Sequence, residues 1–197
     1  MSRIDESTLG EFLASRRGFI RRAGGLTLSG AAIALLVGND SLAATRDLEI
    51  AAMAKGDVDI LNTALGLEHE AIAAYQVGAE SGLLQKPALD LAVKFQGDHK
   101  QHRDELARVV KKLGGKPADA MAKYDFPVGQ LKSQADVLRF AASLEQGAAS
   151  AYLAAVPLFK THELAKAAAS ILGAETMHWA ILLNALGENP SPVAFIA

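Results

Sequence analysis

Three glutamates and three histidines in this 197-residue chain stand at spacings that suit metal binding. Glu68 and Glu145 each open a nine-residue pattern, "LEHEAIAAY" (67–75) and "LEQGAASAY" (144–152), which share L-E-x-x-A-x-x-A-Y. A second pattern, "HKQHRDEL" (99–106) and "ETMHWAIL" (175–182), places His99 with His102 and Glu175 with His178. On a helix, residues three apart lie about one turn apart on the same side. Each pair can therefore reach one ion, and a single Glu from each of two further helices completes a cage for two ions. Oxygen and imidazole donors suit iron first, with manganese and zinc as alternatives. The chain has no Cys, which excludes thiolate catalysis, disulfides and Cys-ligated clusters.

These residues need helices to carry them, and the composition supplies them. Half of the residues are hydrophobic but only 6% are aromatic, a balance that favours closely packed helices. The formal net charge of −2 gives no electrostatic reason to expect a nucleic-acid partner. A first helix is expected over 57–81, with Ile60, Leu61, Ala64, Leu67, Ala71, Ala74 and Tyr75 on one face and Asp57 as its cap. A separate short helical piece over 48–55 precedes it. The second helix is expected from Pro87 to Leu113, stopped by Gly114-Gly115. Residues 115–133 hold two prolines and no period, and so form a long connection. The third helix follows Ser133, which with Asp136 has the spacing of a capping box, and ends near Pro157 or Phe159. The fourth follows Thr161 and runs to Leu186, with Gly187 as C-cap.

Short joins make two antiparallel hairpins, and the long join allows a crossover between helices two and three. Glu68 to Glu145 is a shift of 77 residues and His99 to Glu175 a shift of 76, so the hairpin is a repeat. The expected architecture is an all-α antiparallel four-helix bundle with one long crossover.

With these motifs the chain resembles the ferritin-like superfamily, in the branch of bacterial ferritin-like and desiccation-related proteins, with rubrerythrin more distant. The resemblance spans about 57–187. It implies a bundle-core centre of two metal ions with Glu68, His102, Glu145, Glu175 and His178 as ligands. It also implies redox chemistry on oxygen or peroxide, or oxidation of ferrous iron. His99 departs from the family pattern, which has Glu there as a bridge between the ions. Asp98 and Glu105 are the near carboxylates that could compensate. The alternative function is a non-enzymatic, stress- or desiccation-associated bundle with a vestigial or mononuclear site.

Outside the six, His69, Glu70 and His162 are expected at the surface, and Trp179 in packing or an interface. Tyr75 and Tyr152 stand at matching positions, with a hydrogen bond to a candidate ligand and simple core packing equally open. Arg108, Lys111, Lys112 and Lys116 are read as a solvated helix end.

The first 43 residues are set apart as an address. Arg16-Arg17 precede Gly18-Phe19-Ile20, then a Gly/Ser/Ala-rich apolar run to Val37, then Ser41-Leu42-Ala43 at a peptidase-like spacing. This order resembles a bacterial twin-arginine signal. The run is shorter than the roughly 20 residues that span a bilayer, and the alternative is an uncleaved anchor. Twin-arginine export carries folded, cofactor-loaded proteins, so a periplasmic location with the bundle over 44–190 and a tail over 191–197 is expected. Expected partners are the export machinery, metal ions and a small oxidant, with a homodimer as one oligomeric option. Replacing Arg16 and Arg17 by Lys should hold the protein in the cytoplasmic fraction. Cell fractionation checks this, and a twin-lysine variant that still reaches the periplasm contradicts it.

Overall fold

The computed structural model describes the backbone of residues 42–196 and the side chains of 54–196. The twin-arginine segment around Arg16 and Arg17 lies outside the described residues.

Among the described residues the architecture is all-α: four long helices in an antiparallel bundle, with one long crossover. α1 is Leu42–Glu80, α2 Lys86–Lys112, α3 Gln134–Ala155 and α4 His162–Ala185. Packing is closest within the hairpins α1–α2 and α3–α4. Short 3₁₀ turns at Val128–Gln130 and Val156–Leu158 precede α3 and α4. No helix among the described residues is long and apolar enough to cross a membrane.

Helix ends follow local chemistry. Pro87 sits in the first turn of α2, where its missing N–H costs nothing. Gly114 and Gly187 adopt φ of +79° and +75° just past α2 and α4, a conformation that favours glycine. Ser133 caps α3 by accepting from the Asp136 backbone N–H. The Asp136 carboxylate in turn accepts from Ser133 Oγ at 2.8 Å and from the Lys132 N–H at 3.1 Å. The shorter Asp thus reaches the residue before the cap, where a capping box would have Glu or Gln reach the cap itself.

Two expectations at the start of α1 are corrected. The separate piece over 48–55 and the helix from 57 form one continuous helix, because Gly56 lowers helix propensity without ending the backbone ladder. Asp57 therefore caps nothing in its own helix. It is 1% exposed, and its carboxylate accepts from the backbone N–H groups of Lys160 and Thr161 at 2.8 and 3.1 Å, and from Thr161 Oγ1 at 2.7 Å. It ties down the start of α4, whose N-cap residue Thr161 makes no side-chain cap of its own.

The crossover lies against α1. Asn62 donates to the Lys116 carbonyl and accepts from the Ala118 N–H, and His69 donates to the Ala118 carbonyl. Gly115 packs so closely on Val58 that an added Cβ would stand 2.7 Å from its Cγ1.

The apolar core falls into two clusters. One holds Tyr75, Phe95, Leu138, Trp179 and Leu182; the other holds Leu61, Leu65, Leu106, Val110 and Tyr152. On every helix the candidate site residues come between the positions that feed these clusters. The site thus sits at mid-bundle with an apolar layer on either side.

Asp57→Ala would strip three donors of their charged acceptor and should cost roughly 1.5–3 kcal/mol. For a chain of this size that is a fall in Tm of roughly 4–10 °C. Thermal unfolding followed by circular dichroism checks this, and an unchanged Tm would refute the tie between the hairpins.

Candidate metal centre

Each site residue arrives from a different turn of the bundle for a local reason. Glu68 follows the apolar face of α1 through Leu61, Ala64 and Leu65, so the helical period turns it inward. His99 and His102 continue the face begun by Ala88, Ala92 and Phe95 on α2. Glu145 follows Leu138 and Ala142 on α3, and Glu175 and His178 follow Ala168 on α4. Ala71, Ala74 and Ala149 are buried beside them and leave room for the helices to approach.

All six residues converge. Glu68, His99, Glu145 and Glu175 are at most 2% exposed, His178 is buried, and His102 is half-buried. Two sets of four can each offer ligand atoms within 4.8 Å of one another: Glu68, His99, His102 and Glu175, and then His99, Glu145, Glu175 and His178. The hairpin repeat exchanges these sets, since it pairs Glu68 with Glu145, His102 with His178, and His99 with Glu175.

The contacts are short. His99 Nδ1 is 2.8 Å from Glu68 Oε2 and its Nε2 is 3.2 Å from Glu145 Oε1. His102 Nδ1 is 3.1 Å from Glu175 Oε1. His178 Nδ1 lies 3.5 Å from Glu145 Oε2 and 3.6 Å from Glu175 Oε2. The tyrosines left open between two roles are decided: Tyr75 donates to Glu145 Oε1, and Tyr152 donates to Glu68 Oε1 at 2.5 Å. Each tyrosine thus serves the glutamate of the other hairpin, and each also fills the core.

Of the two carboxylates considered as compensation for His99, Asp98 lies beside the site and Glu105 does not. Asp98 Oδ2 is 3.2 Å from His178 Nε2 and also pairs with Lys94. Glu105 is exposed and paired with Arg108. His162 is exposed, Trp179 is a core residue, and His69 and Glu70 are half-buried rather than fully at the surface. The Asp98–His178 contact spans 80 residues and two helices. A clue was available in sequence, since Asp98 precedes a candidate ligand, but its direction depends on where α4 passes.

Burial and charge oppose each other here. Burial alone would push the imidazoles down. Hydrogen bonds to Glu145 and Glu68 instead raise His99 to about 10. The carboxylates facing them, Glu175 and Glu68 for His102 and Glu145 and Glu175 for His178, raise both to about 9. Burial would raise Glu68 and Glu145, but the histidines beside them hold both below the ordinary carboxylate range. At Glu175 burial prevails and the carboxyl is pushed up. Burial, followed by the charge of Glu145 or Glu68, pushes Tyr75 and Tyr152 well above their ordinary value, so both stay protonated donors.

This donor set fits a metal. Glu145 Oε2, both oxygens of Glu175, His102 Nδ1 and His178 Nδ1 are buried with no hydrogen-bond partner. Native cores rarely leave such atoms unsatisfied. Here five of them face one another across three helices, and divalent ions held in the two sets of four would satisfy them.

Residues 56–188 match the Ferritin-like domain family. No curated protein matches the chain. Among solved structures, a conserved hypothetical protein from Mycobacterium tuberculosis is 26% identical with a TM-score of 0.63, covering 73% of this chain and 99% of that one. A structure described as ferritin-like, diiron-carboxylate proteins from Bacillus anthracis str. Ames is 21% identical with a TM-score of 0.59, covering 68% and 97%. Both share the fold.

Raised histidine pKa values make the metal-free fold sensitive to base. Stability from a histidine raised above its unfolded value of 6.5 is fully present below 6.5 and is lost as pH rises through about 9 to 10. The depressed Glu68 and Glu145 contribute above 4.5 and lose that contribution in acid. The Tm of metal-free protein should therefore fall between about pH 7 and about pH 10. A Tm that climbs across that interval contradicts this charge balance.

Proposed function

The chain belongs to the Ferritin-like domain family, and from that premise we propose that it is an exported metalloprotein acting in redox chemistry. Its metal is a divalent transition ion, iron first, held among Glu68, His99, His102, Glu145, Glu175 and His178. Its reaction is with oxygen or peroxide, or the oxidation of ferrous iron. The observation that carries this is the set of five buried, unpartnered donor atoms converging at mid-bundle. A diiron-carboxylate description of a protein of the same fold supports it.

A redox metal bound there would supply electron transfer to a small oxidant. The chain's own residues do the rest. Glu68 and Glu145 are kept ionised and offer negative charge that favours the more oxidised cation. Tyr152 and Tyr75 each hold one oxygen of these carboxylates, which fixes the direction of the other. Phe95 stacks on the His178 ring at 4.1 Å between centroids and, with Ala92 and Leu182, shuts bulk water out. Beside Tyr75 an apolar recess of about 20 Å³ is lined by Ala74, Gly78, Leu84, Ala88 and Leu138. That is room for about one water-sized molecule, and of the groups around the site only Tyr75 lines it.

The export reading rests on the twin-arginine pattern around Arg16 and Arg17. Folded export suits a protein that takes its metal before leaving the cytoplasm.

Protein purified from its native periplasm should carry iron or another transition metal, and Glu175→Ala should lose most of it, as measured by elemental mass spectrometry. Wild-type protein that holds no transition metal as isolated, and takes up no ferrous iron on reconstitution, would end this assignment.

A further inference from the structure

The hairpin repeat predicts two equivalent metal positions, but the side chains around them are not equivalent. Glu68 is already satisfied: its Oε1 accepts from Tyr152 at 2.5 Å and its Oε2 from His99 Nδ1 at 2.8 Å. Its repeat partner Glu145 keeps Oε2 free, and both oxygens of Glu175 are free. A neutral imidazole has one N–H and one lone pair. With the His99 Nδ1–H given to Glu68, the proton an incoming ion would displace is the one on Nε2, which leaves the lone pair there. That atom is 3.2 Å from Glu145 Oε1 and 3.8 Å from Glu175 Oε2, inside the second set of four.

His178 is arranged in the same way. Its Nε2 faces Asp98 Oδ2 at 3.2 Å, and its Nδ1 faces Glu145 and Glu175 without a hydrogen bond. Both imidazoles of this set thus have a carboxylate behind the ring, as metal-ligating histidines usually do. His102 lacks this support. Its repeat counterpart is His178, but the position matching Asp98 is Ala174, which has no carboxylate to offer. His102 is also the more open ring, with a side chain 16% exposed against 6% for His178.

We propose that the two halves of the centre are unequal: the first divalent transition ion takes His99 Nε2, Glu145, Glu175 and His178 Nδ1. Glu68 is then a positioning residue that orients His99, and Asp98 does the same for His178. Two imidazoles and two carboxylates make a neutral set around a divalent cation. A second ion has only His102, the outer oxygen of Glu175, and a Glu68 already engaged by two donors, so it binds more weakly. This rests on the metal-binding reading of the site given above.

The test is titration of metal-free, full-length protein with Co(II), followed by calorimetry and by the visible d–d bands of the bound ion. The expected result is one tight ion per chain, with a second about tenfold weaker or more, or absent. His178→Ala should abolish the tight ion, and His102→Ala should keep it. Glu68→Gln should keep one ion per chain with affinity reduced about 10- to 100-fold and altered d–d bands, as loss of an orienting partner does. His99→Glu, which restores the repeat, should bring the two ions to similar affinity. Two ions of equal affinity in the wild type overturn the inequality while leaving metal binding intact. So does a first ion lost in His102→Ala but kept in His178→Ala. No Co(II) uptake by the wild type overturns the metal-binding reading and this inference together. The wild-type stoichiometry decides the matter even if a variant fails to fold.

Discussion

Three carboxylates buried at the centre of an apolar bundle must be balanced, and the rest of the structure depends on how. An ionised glutamate removed from water is costly unless it is paired and hydrogen-bonded. Glu68, Glu145 and Glu175 are at most 2% exposed, yet His99, His102 and His178 surround them. Without metal the balance is kept by protons on the imidazoles. That balance leaves five donor and acceptor atoms unsatisfied, because protonated rings in these positions cannot point at every oxygen. A divalent cation bound there would replace the protons as the compensating charge.

The duplicated hairpin is what brings the opposite charges together. Each hairpin supplies a single Glu from its first helix and a pair three residues apart from its second. The hairpins interlock through the tyrosines, with Tyr75 reaching Glu145 and Tyr152 reaching Glu68. Asp57 adds a second tie by holding the start of α4 from within α1. The crossover, pinned to α1 by Asn62 and His69, lets α3 return beside the first hairpin in the orientation these contacts need. Where the repeat is broken, at His99 against Glu175 and at Asp98 against Ala174, the site becomes lopsided.

Much of this was legible before any coordinates. The 3.6-residue period of apolar positions, Pro87, Ser133 with Asp136, and Gly114 and Gly187 located α2, α3, α4 and the end of α1 to within a few residues, because each acts on its own turn of backbone. That the six residues share the bundle interior was legible for the same reason, reinforced by the repeat: spacing on a helix sets the face on which a side chain stands. The all-α bundle with one long crossover followed from four helices and their unequal joins.

Partners across the bundle were not legible, and their sequence separations explain it. Tyr75 and Glu145 are 70 residues apart, Tyr152 and Glu68 are 84, and Asp57 and Thr161 are 104. A local pattern placed Asp57 at a helix start but could not show that α1 runs through it, leaving the carboxylate free to serve another helix. The pattern also left the tyrosines between packing and hydrogen bonding, and it could not say which ring nitrogen of His99 meets which carboxylate. Periodicity sets the direction of a side chain relative to its own helix axis. What that side chain touches depends on the rotation and height of the neighbouring helices, and those are decided only when the whole core packs.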